Sequence, residues 1–499
     1  MTFRTLVAGA AIVVALDALT RPLDAQTIDS TFTQQQKLEA LDARAGDGTG
    51  FSVAISGETI VVGAPFEDGG QGAAYVFVRG AGGWISQQKL VASTATPGDS
   101  FGWSVAISGE TIVVGAPSDH GGSVDPGSAY VFVRGGAGWI EQQTLHAWSP
   151  AAGDTFGSSV AIDGETVVVG APRSDDKVGA AYVFLRSEGV WNLPQKLVGS
   201  SAEAGDQFGY SVAISGATIV VGARFDDGTD LDQGSAYVFV RGDAGWSEQT
   251  KLEASDAAEG TYFGWSVAIS GETVVVGVPY DDDAQGSARV FVRSEGVWRE
   301  QPKLVAADAA ASDFFGWSVA ISGDTIVIGA QLSDGGDAGF VNQGAAYVFV
   351  RSGDVWSLRQ KLVASDAALA DRFGFSVAIS GETVVVGAVG GGGAAGDDPG
   401  SAYVFGPDVP TRIEHLIGDI RGLALSEGFT TSLVAKLNDA ITSFTAGDAS
   451  GACDALTAFV NEVNAQTQSP AHPNKNLTPD QTQYLLTKAG EIQAAIGCQ

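Results

Sequence analysis

The sequence is poor in the side chains that most catalytic and metal chemistry needs. Its 499 residues include 2 cysteines, 4 histidines and 1 methionine, and 27 basic side chains stand against 58 acidic ones. His120, His146, His415 and His472 occur singly, and the two cysteines lie far from three of them, so no Cys/His cluster with zinc-ligand spacing exists. Neither a G-x-S-x-G nucleophile elbow nor a phosphate-cradling G-x-x-x-x-G-K-[ST] loop is present. A net charge of −31 excludes docking on a nucleic-acid backbone, which needs a basic stripe to displace counterions, and equally excludes anionic lipid. Long apolar runs are missing too: the run at residues 6–16 falls short of the roughly 20 residues a spanning helix needs. Hydrophobic content is not lacking; at 44% it is too high for a disordered acidic chain.

The N-terminus reads as an export signal. Arg4 precedes the apolar run, and RPLDAQ follows it, with a small residue at Ala25. Residues 1–25 are therefore expected to be a secretory signal peptide cut after Ala25, placing the protein outside the cell, on its surface or in a periplasm. In such a compartment an even pair of cysteines, Cys453 and Cys498, predicts one disulfide.

One unit is written seven times between these ends. Its clearest copy starts FGWSVAISGETIVVGAP at Phe101 and, after a variable loop, ends GSAYVFVR at Arg134. The glycine of the FG pair recurs as Gly50, Gly102, Gly157, Gly209, Gly264, Gly316 and Gly374, at intervals of 52 to 58 residues. A constant period with strand-like content means a propeller or a solenoid. Each unit carries four strand signals: FGWSVAIS, TIVVGAP, AYVFVR and a segment of the type GWIEQQTL. Alternation places Phe101, Trp103, Val105 and Ile107 on one face of the first strand, with Gly and Ser opposite to receive the next unit. The fold class predicted is an all-β seven-bladed β-propeller, four antiparallel strands per blade, spanning residues 26–409. QQQKLEAL at residues 34–41 matches the fourth-strand segments, and the seventh unit lacks one of its own. The N-terminal strand is thus expected to complete the last blade and close the ring.

The pairing of Phe101-Gly102 with Val114-Gly115-Ala116-Pro117 resembles the FG-GAP repeat of integrin α-subunit propellers and of bacterial secreted proteins. Thr49 stands in place of the first Phe, and Arg224 and Gln331 in place of the Pro. Some blades of that family hold calcium in a D-x-D-x-D-G-x-x-D loop between the first two strands. Here that connection is only Ser-Gly-Glu-Thr, too short for the six to eight oxygens calcium takes, so the family's calcium sites do not carry over. Glu58, Glu110, Glu165, Glu272, Asp324 and Glu382 read instead as a ring of solvated acidic turns.

Acidic residues dominate the loops between second and third strands, where only Arg173, Lys177 and Arg224 are basic. An up-and-down strand order puts those loops on the same rim as the connections between blades, so one face of the disc is expected to be strongly electronegative. The densest stretches, Asp226, Asp227, Asp230 and Asp232, then Asp281, Asp282 and Asp283, are candidate cation ligands, calcium being the metal considered. Solubility alone also accounts for them. The tryptophans of the fourth strands recur once per blade and read as packing, whereas Trp148 belongs to neither tryptophan series and is the candidate ligand contact. Arg241-Gly242-Asp243 reads as a generic hairpin tip, since sister units carry RGA, RGG, RSE or RSG there, and the Asn476-Leu477-Thr478 sequon reads equally as a glycosylation acceptor or as chance.

Past residue 409 the hydrophobic period changes from two to about 3.6. Four amphipathic helices are expected within 410–499, the first capped at Thr411 with Glu414, the last at Thr478 with Gln481, packed as a bundle. The piece resembles the FIMAH-type helical modules of bacterial surface proteins, which implies a role in attachment or docking. Taken together, the sequence reads as a secreted or cell-surface interaction protein of adhesion type. It is expected to be monomeric, non-catalytic and without a certain cofactor, and to bind a protein or glycan partner through the acidic rim. A carbohydrate-active or other hydrolase using rim carboxylates and a structural surface protein without a discrete ligand are the alternatives.

Overall fold

The second strand of every unit sets the architecture. Thr111–Ala116 and its six counterparts are runs of Val and Ile that are almost wholly buried, because both faces are covered. In a computed structural model describing residues 31–80, 83–117, 126–136, 138–228, 230–334, 342–390, 398–423, 425–467 and 477–498, these strands sit inside seven antiparallel sheets. The innermost strand of each sheet touches that of the next, and blade seven's touches blade one's, so the sheets form a closed seven-bladed propeller. The predicted export signal lies outside the described residues. Among those described, no helix is long and apolar enough to cross a membrane.

The ring is closed by Phe32–Leu38, which pairs antiparallel with Ser401–Pro407 of the last blade, Leu38 opposite Ala402. The closing strand begins before the expected 34–41 and stops at Leu38; Ala40 is buried beyond it, and Leu41 is exposed.

Both glycines of the repeat are dictated by contact between blades. Gly102 has φ +92°, and a Cβ there would lie 2.2 Å from the Ala73 carbonyl oxygen of the preceding blade. Gly115 faces the next blade so closely that a Cβ would sit 2.0 Å from the Gly157 carbonyl oxygen. The positive φ also breaks the expected alternation. Phe101 goes into the seam between blades with Val105 and Ile107, against Val61 and Val76 of blade one, while Trp103 is excluded from that cluster.

The serines flanking the first strand are more than small partners. Ser52 Oγ donates to Gly102 O, and the pattern repeats through Ser104, Ser159, Ser211, Ser266, Ser318 and Ser376, the last reaching Gly50, at 2.8–3.0 Å. At the strand's other end a second circle runs from backbone N–H groups such as Gly109 N to Ser56 Oγ, with Asp163 replacing serine once, at 2.6–3.2 Å. Two closed circles of hydrogen bonds therefore bind the blades around the axis.

The C-terminal helices Val409–Gly422, Glu427–Thr445, Ala449–Thr467 and Pro479–Ile496 bury Ile413, Leu437, Phe459 and Leu485 in one bundle core. The first helix is capped by Asp408, whose carboxylate accepts from Thr411 N, and not by Thr411: the chain turns helical as soon as the last strand ends. The capping box at Thr478 and Gln481 is formed. Cys453, early in the third helix, and Cys498, just past the fourth, are joined in a disulfide with Cα atoms 5.5 Å apart, so these two helices run antiparallel.

Candidate functional site: an aromatic collar inside the acidic rim

The second-to-third-strand loops and the blade connections share one rim, as parallel bridges such as Gly72 to Phe101 and Gly344 to Phe373 require. Much of its acidity is committed to internal structure. Asp47, Asp99, Asp154, Asp206, Asp313 and Asp371 each accept from a backbone N–H three residues earlier, pinning the connection. Burial pushes Asp206 up to about 6, and the neighbouring Asp226 and Asp227 add to the shift.

In the two densest acidic stretches the buried aspartate is engaged by side chains of its own blade. Asp226 is 3% exposed; its carboxylate takes the Tyr237 hydroxyl at 2.5 Å and the Lys251 ammonium at 2.7 Å. Asp227 accepts from Asp232 N at 2.9 Å, and Asp230 N donates to Gln233. In the second stretch Asp281 is held by Ser287, Arg289 and Lys303, and Asp282 by Lys303, while Asp282 and Asp283 adopt left-handed backbone. Among the described residues no group of three or more His, Cys, Asp or Glu side chains converges as metal ligands. The physical reason is that Asp226 and Asp281 turn inward to Tyr237 and Arg289 of their own blades, as Glu67 does to the Tyr75 hydroxyl at 2.7 Å. Trp148 is 65% exposed on the connection between blades two and three, with no ring contact among the described residues. Trp84, Trp139, Trp191 and Trp246 are buried, as packing residues should be. Arg241 and Asp243 border a shallow depression beside Trp246. His120, His472 and Asn476 lie outside the described residues.

What the rim surrounds is an aromatic collar. The residue after each FG glycine is Phe51, Trp103, Ser158, Tyr210, Trp265, Trp317 or Phe375, and all are half-buried at the inner edge. Ring centroids link Trp103 to Phe51 (4.6 Å), Phe51 to Phe375 (4.9 Å), Phe375 to Trp317 (5.8 Å), Trp317 to Trp265 (4.5 Å) and Trp265 to Tyr210 (5.3 Å). Ser158 leaves the circle open at blade three. A second tier, Phe66, Phe225, Tyr262, Tyr280 and Phe314, stacks on the first from the loops. Tyr262 and Phe314 hold φ of 57° and 56°, a conformation disfavoured for bulky side chains, and share it with Ser100, Thr155, Gln207 and Arg372 at the same repeat position.

Arg224 is the cation of this collar. Its guanidinium carbon lies 3.8 Å from the Tyr210 ring centroid, 4.4 Å from Phe225 and 4.7 Å from Trp265, and its Nε donates to Gln207 at 3.0 Å. Burial lowers its pKa from the ordinary value, and Tyr210 is raised, chiefly by burial. The sequence showed Arg224 only as a departure from Pro. The signal overlooked was that the residue after FG keeps aromatic character while varying in identity, unlike the Phe and Val positions of the core.

The opposite rim differs from expectation in one respect. The turn acids are exposed but not idle: Glu110 pairs with Arg134 (2.6 Å), Glu165 with Arg186 (3.7 Å), Asp324 with Arg351 (2.5 Å) and Glu272 with Arg293. Each guanidinium also lies over the Trp of its own fourth strand. Such surface pairs contribute roughly 0–1 kcal/mol apiece. Glu382 pairs with His415 of the first helix at 2.7 Å, and so fastens the bundle to this rim.

A closed ring of seven four-stranded antiparallel sheets, with a loop-built rim and an axial collar, defines the class of seven-bladed β-propeller proteins. The FG-GAP repeat matches residues 32–77, 84–132, 139–184, 191–239, 246–291, 298–349 and 356–405, and the chain belongs to that family. No curated protein is similar enough to match it.

Proposed function

We propose that this is a secreted or cell-surface interaction protein, non-catalytic, that binds a protein or glycan partner at the acidic rim and its aromatic collar. The observation that carries the reading is the collar itself. Six of seven blades place an aromatic ring at one repeat position that is not part of the seams between blades. Aromatic surface gathered at a single mouth and rimmed by polar loops is what a recognition site requires and what a purely structural wheel does not. Membership in the FG-GAP family supports the interaction role, and a disulfide fits an oxidising compartment.

The test is retention of surface-extract proteins and of an arrayed glycan panel by the immobilised full chain. Trp317→Ala and Trp265→Ala are expected to weaken the retained ligand about tenfold or more, as for buried aromatic anchors. Unchanged retention in both variants, with native circular dichroism, overturns the assignment to the collar. Turnover of any glycan by the wild-type chain overturns the non-catalytic reading.

A further inference from the structure

Seven copies of one unit act as controls for each other, and blade one departs from its sisters in a way its own sequence does not explain. On the rim away from the loops, Arg134, Arg186, Arg293 and Arg351 close onto the acid of the adjacent turn. Blade four has no acid to offer, because Ala217 fills that position. Blade one has both members, Arg79 and Glu58, yet leaves them apart: Arg79 lies 5.7 Å over the Trp84 ring and forms no ion pair among the described residues. A second contact is missing at the same place. Gln87, Gln142 and Gln249 each accept from the indole N–H of the next blade's Trp139, Trp191 and Trp298, at 3.1, 3.3 and 3.0 Å. Gln35, their counterpart beside Trp84, makes no such bond among the described residues; Gln301 beside Trp356 lacks it too, so this contact varies around the ring and the open Arg79–Glu58 pair is what sets blade one apart.

All three released side chains face the gap between the propeller and the helical bundle. That gap holds a cavity of about 670 Å³ and a neighbouring one of about 590 Å³, with Gln35, Glu58, Arg79, Arg412 and Glu491 lining both. Arg412 comes from the first helix. Its Nε donates to Pro407 O at 2.8 Å, and its terminal nitrogens have no partner among the described residues. Burial lowers its pKa, and the charge of Arg79 lowers it further. Two guanidinium groups that repel one another and line the same cavities, with no ion pair to either among the described residues, offer the charge that a shared anion would neutralise. The Glu58 carboxylate lines both cavities and takes no side-chain partner among the described residues, while Glu491 is tied to Lys488 at 3.2 Å. The volume falls in the range of small-molecule sites.

We propose that this cavity binds a small organic acid, its carboxylate held by Arg79 and Arg412 and its hydroxyl or amino donors by Glu58 and Gln35. The site is separate from the collar and does not depend on it. Sugar acids and amino acids share this chemistry, and the experiment separates them. The full chain is titrated calorimetrically with D-galacturonate, L-glutamate, inorganic phosphate and, as the uncharged control, D-galactose. Saturable binding of galacturonate or of glutamate is expected, with no heat from galactose. Arg79→Gln and Arg412→Gln are each expected to weaken it about tenfold, whereas Arg241→Gln, a sister in blade four without an ion pair among the described residues, leaves it unchanged. Glu58→Gln is expected to weaken the organic acid without affecting phosphate. Because Arg412 also packs the first helix, Arg79→Gln on the propeller rim is the decisive variant. Absence of saturable binding by either acid, binding indifferent to Arg79→Gln, or phosphate bound as tightly as both acids each overturns the proposal.

Discussion

Replacing Gly102 by alanine tests whether contact between blades, rather than glycine's freedom alone, fixes the repeat signature. Gly102 and Gly109 both have positive φ, +92° and +54°, and lie at opposite ends of one strand. A Cβ at Gly109 meets nothing within 4 Å, so Gly109→Ala is charged only with left-handed strain, about 1–2 kcal/mol. At Gly102 the new Cβ falls 2.2 Å from Ala73 O and 3.2 Å from Ala64 N, and backbone cannot swing aside as a side chain does. Overpacking of this kind adds about 1–3 kcal/mol. Any retreat of the strand also stretches the Ser52–Gly102 hydrogen bond of 2.8 Å, a further loss of roughly 1 kcal/mol. The expected cost of Gly102→Ala is about 3–6 kcal/mol, against about 1–2 for Gly109→Ala. Urea denaturation followed by tryptophan fluorescence suits the question, because all 10 tryptophans lie before residue 409 and report the propeller alone. Equal midpoint shifts for the two variants refute the argument.

Arg289, 3% exposed where sister blades carry tyrosine, holds Asp281 at 2.9 Å; Arg289→Ala leaves that buried carboxylate to Ser287 and to Lys303 at 3.4 Å and is expected to cost about 3 kcal/mol in the same urea assay, whereas Arg289→Tyr, the sister residue, costs far less. Reducing the Cys453–Cys498 bridge, which spans 45 residues, is expected to lower bundle stability by about 4 kcal/mol, seen as an earlier loss of helical ellipticity with the fluorescence transition unmoved. His415 has its pKa raised, first by its hydrogen bond to Glu382. Its stabilisation is therefore complete below the unfolded value of about 6.5 and lost as pH rises through the raised folded value. His415→Gln should accordingly speed amide exchange in the first helix more at pH 6 than at pH 9, and an equal effect at both would refute the docking role.

How much of this was legible depended on which kind of periodicity carried the information. The wheel, its closure by an N-terminal strand and the change to helices past residue 409 all follow from hydrophobic spacing, which burial enforces directly. The axial collar did not follow, because strict alternation assigned Trp103 to the same face as Phe101, and only the positive φ of Gly102 separates them. The inward fate of Asp226 and Asp281 was hidden for another reason. A run of aspartates reads alike whether it meets solvent or a cation, and the partners Lys251 and Arg289 stand on other strands. Paired turn acids were missed likewise, since an arginine at the end of the third strand, such as Arg134, becomes a neighbour of the Glu110 turn only once the sheet has formed.

The closing strand imposes an order on biosynthesis. Phe32–Leu38 is translated before every blade, yet its partner Ser401–Pro407 is the last sheet segment made. Until then the nascent chain carries an unmated strand at its head and a growing fan of sheets with a bare flank, a state prone to pairing with neighbours. Joining them loses only logarithmically more chain entropy than a short loop would, so the long wait is a hazard of time rather than of free energy. The bundle emerges directly afterwards, and through His415 and Glu382 it settles on the blade that has just been completed.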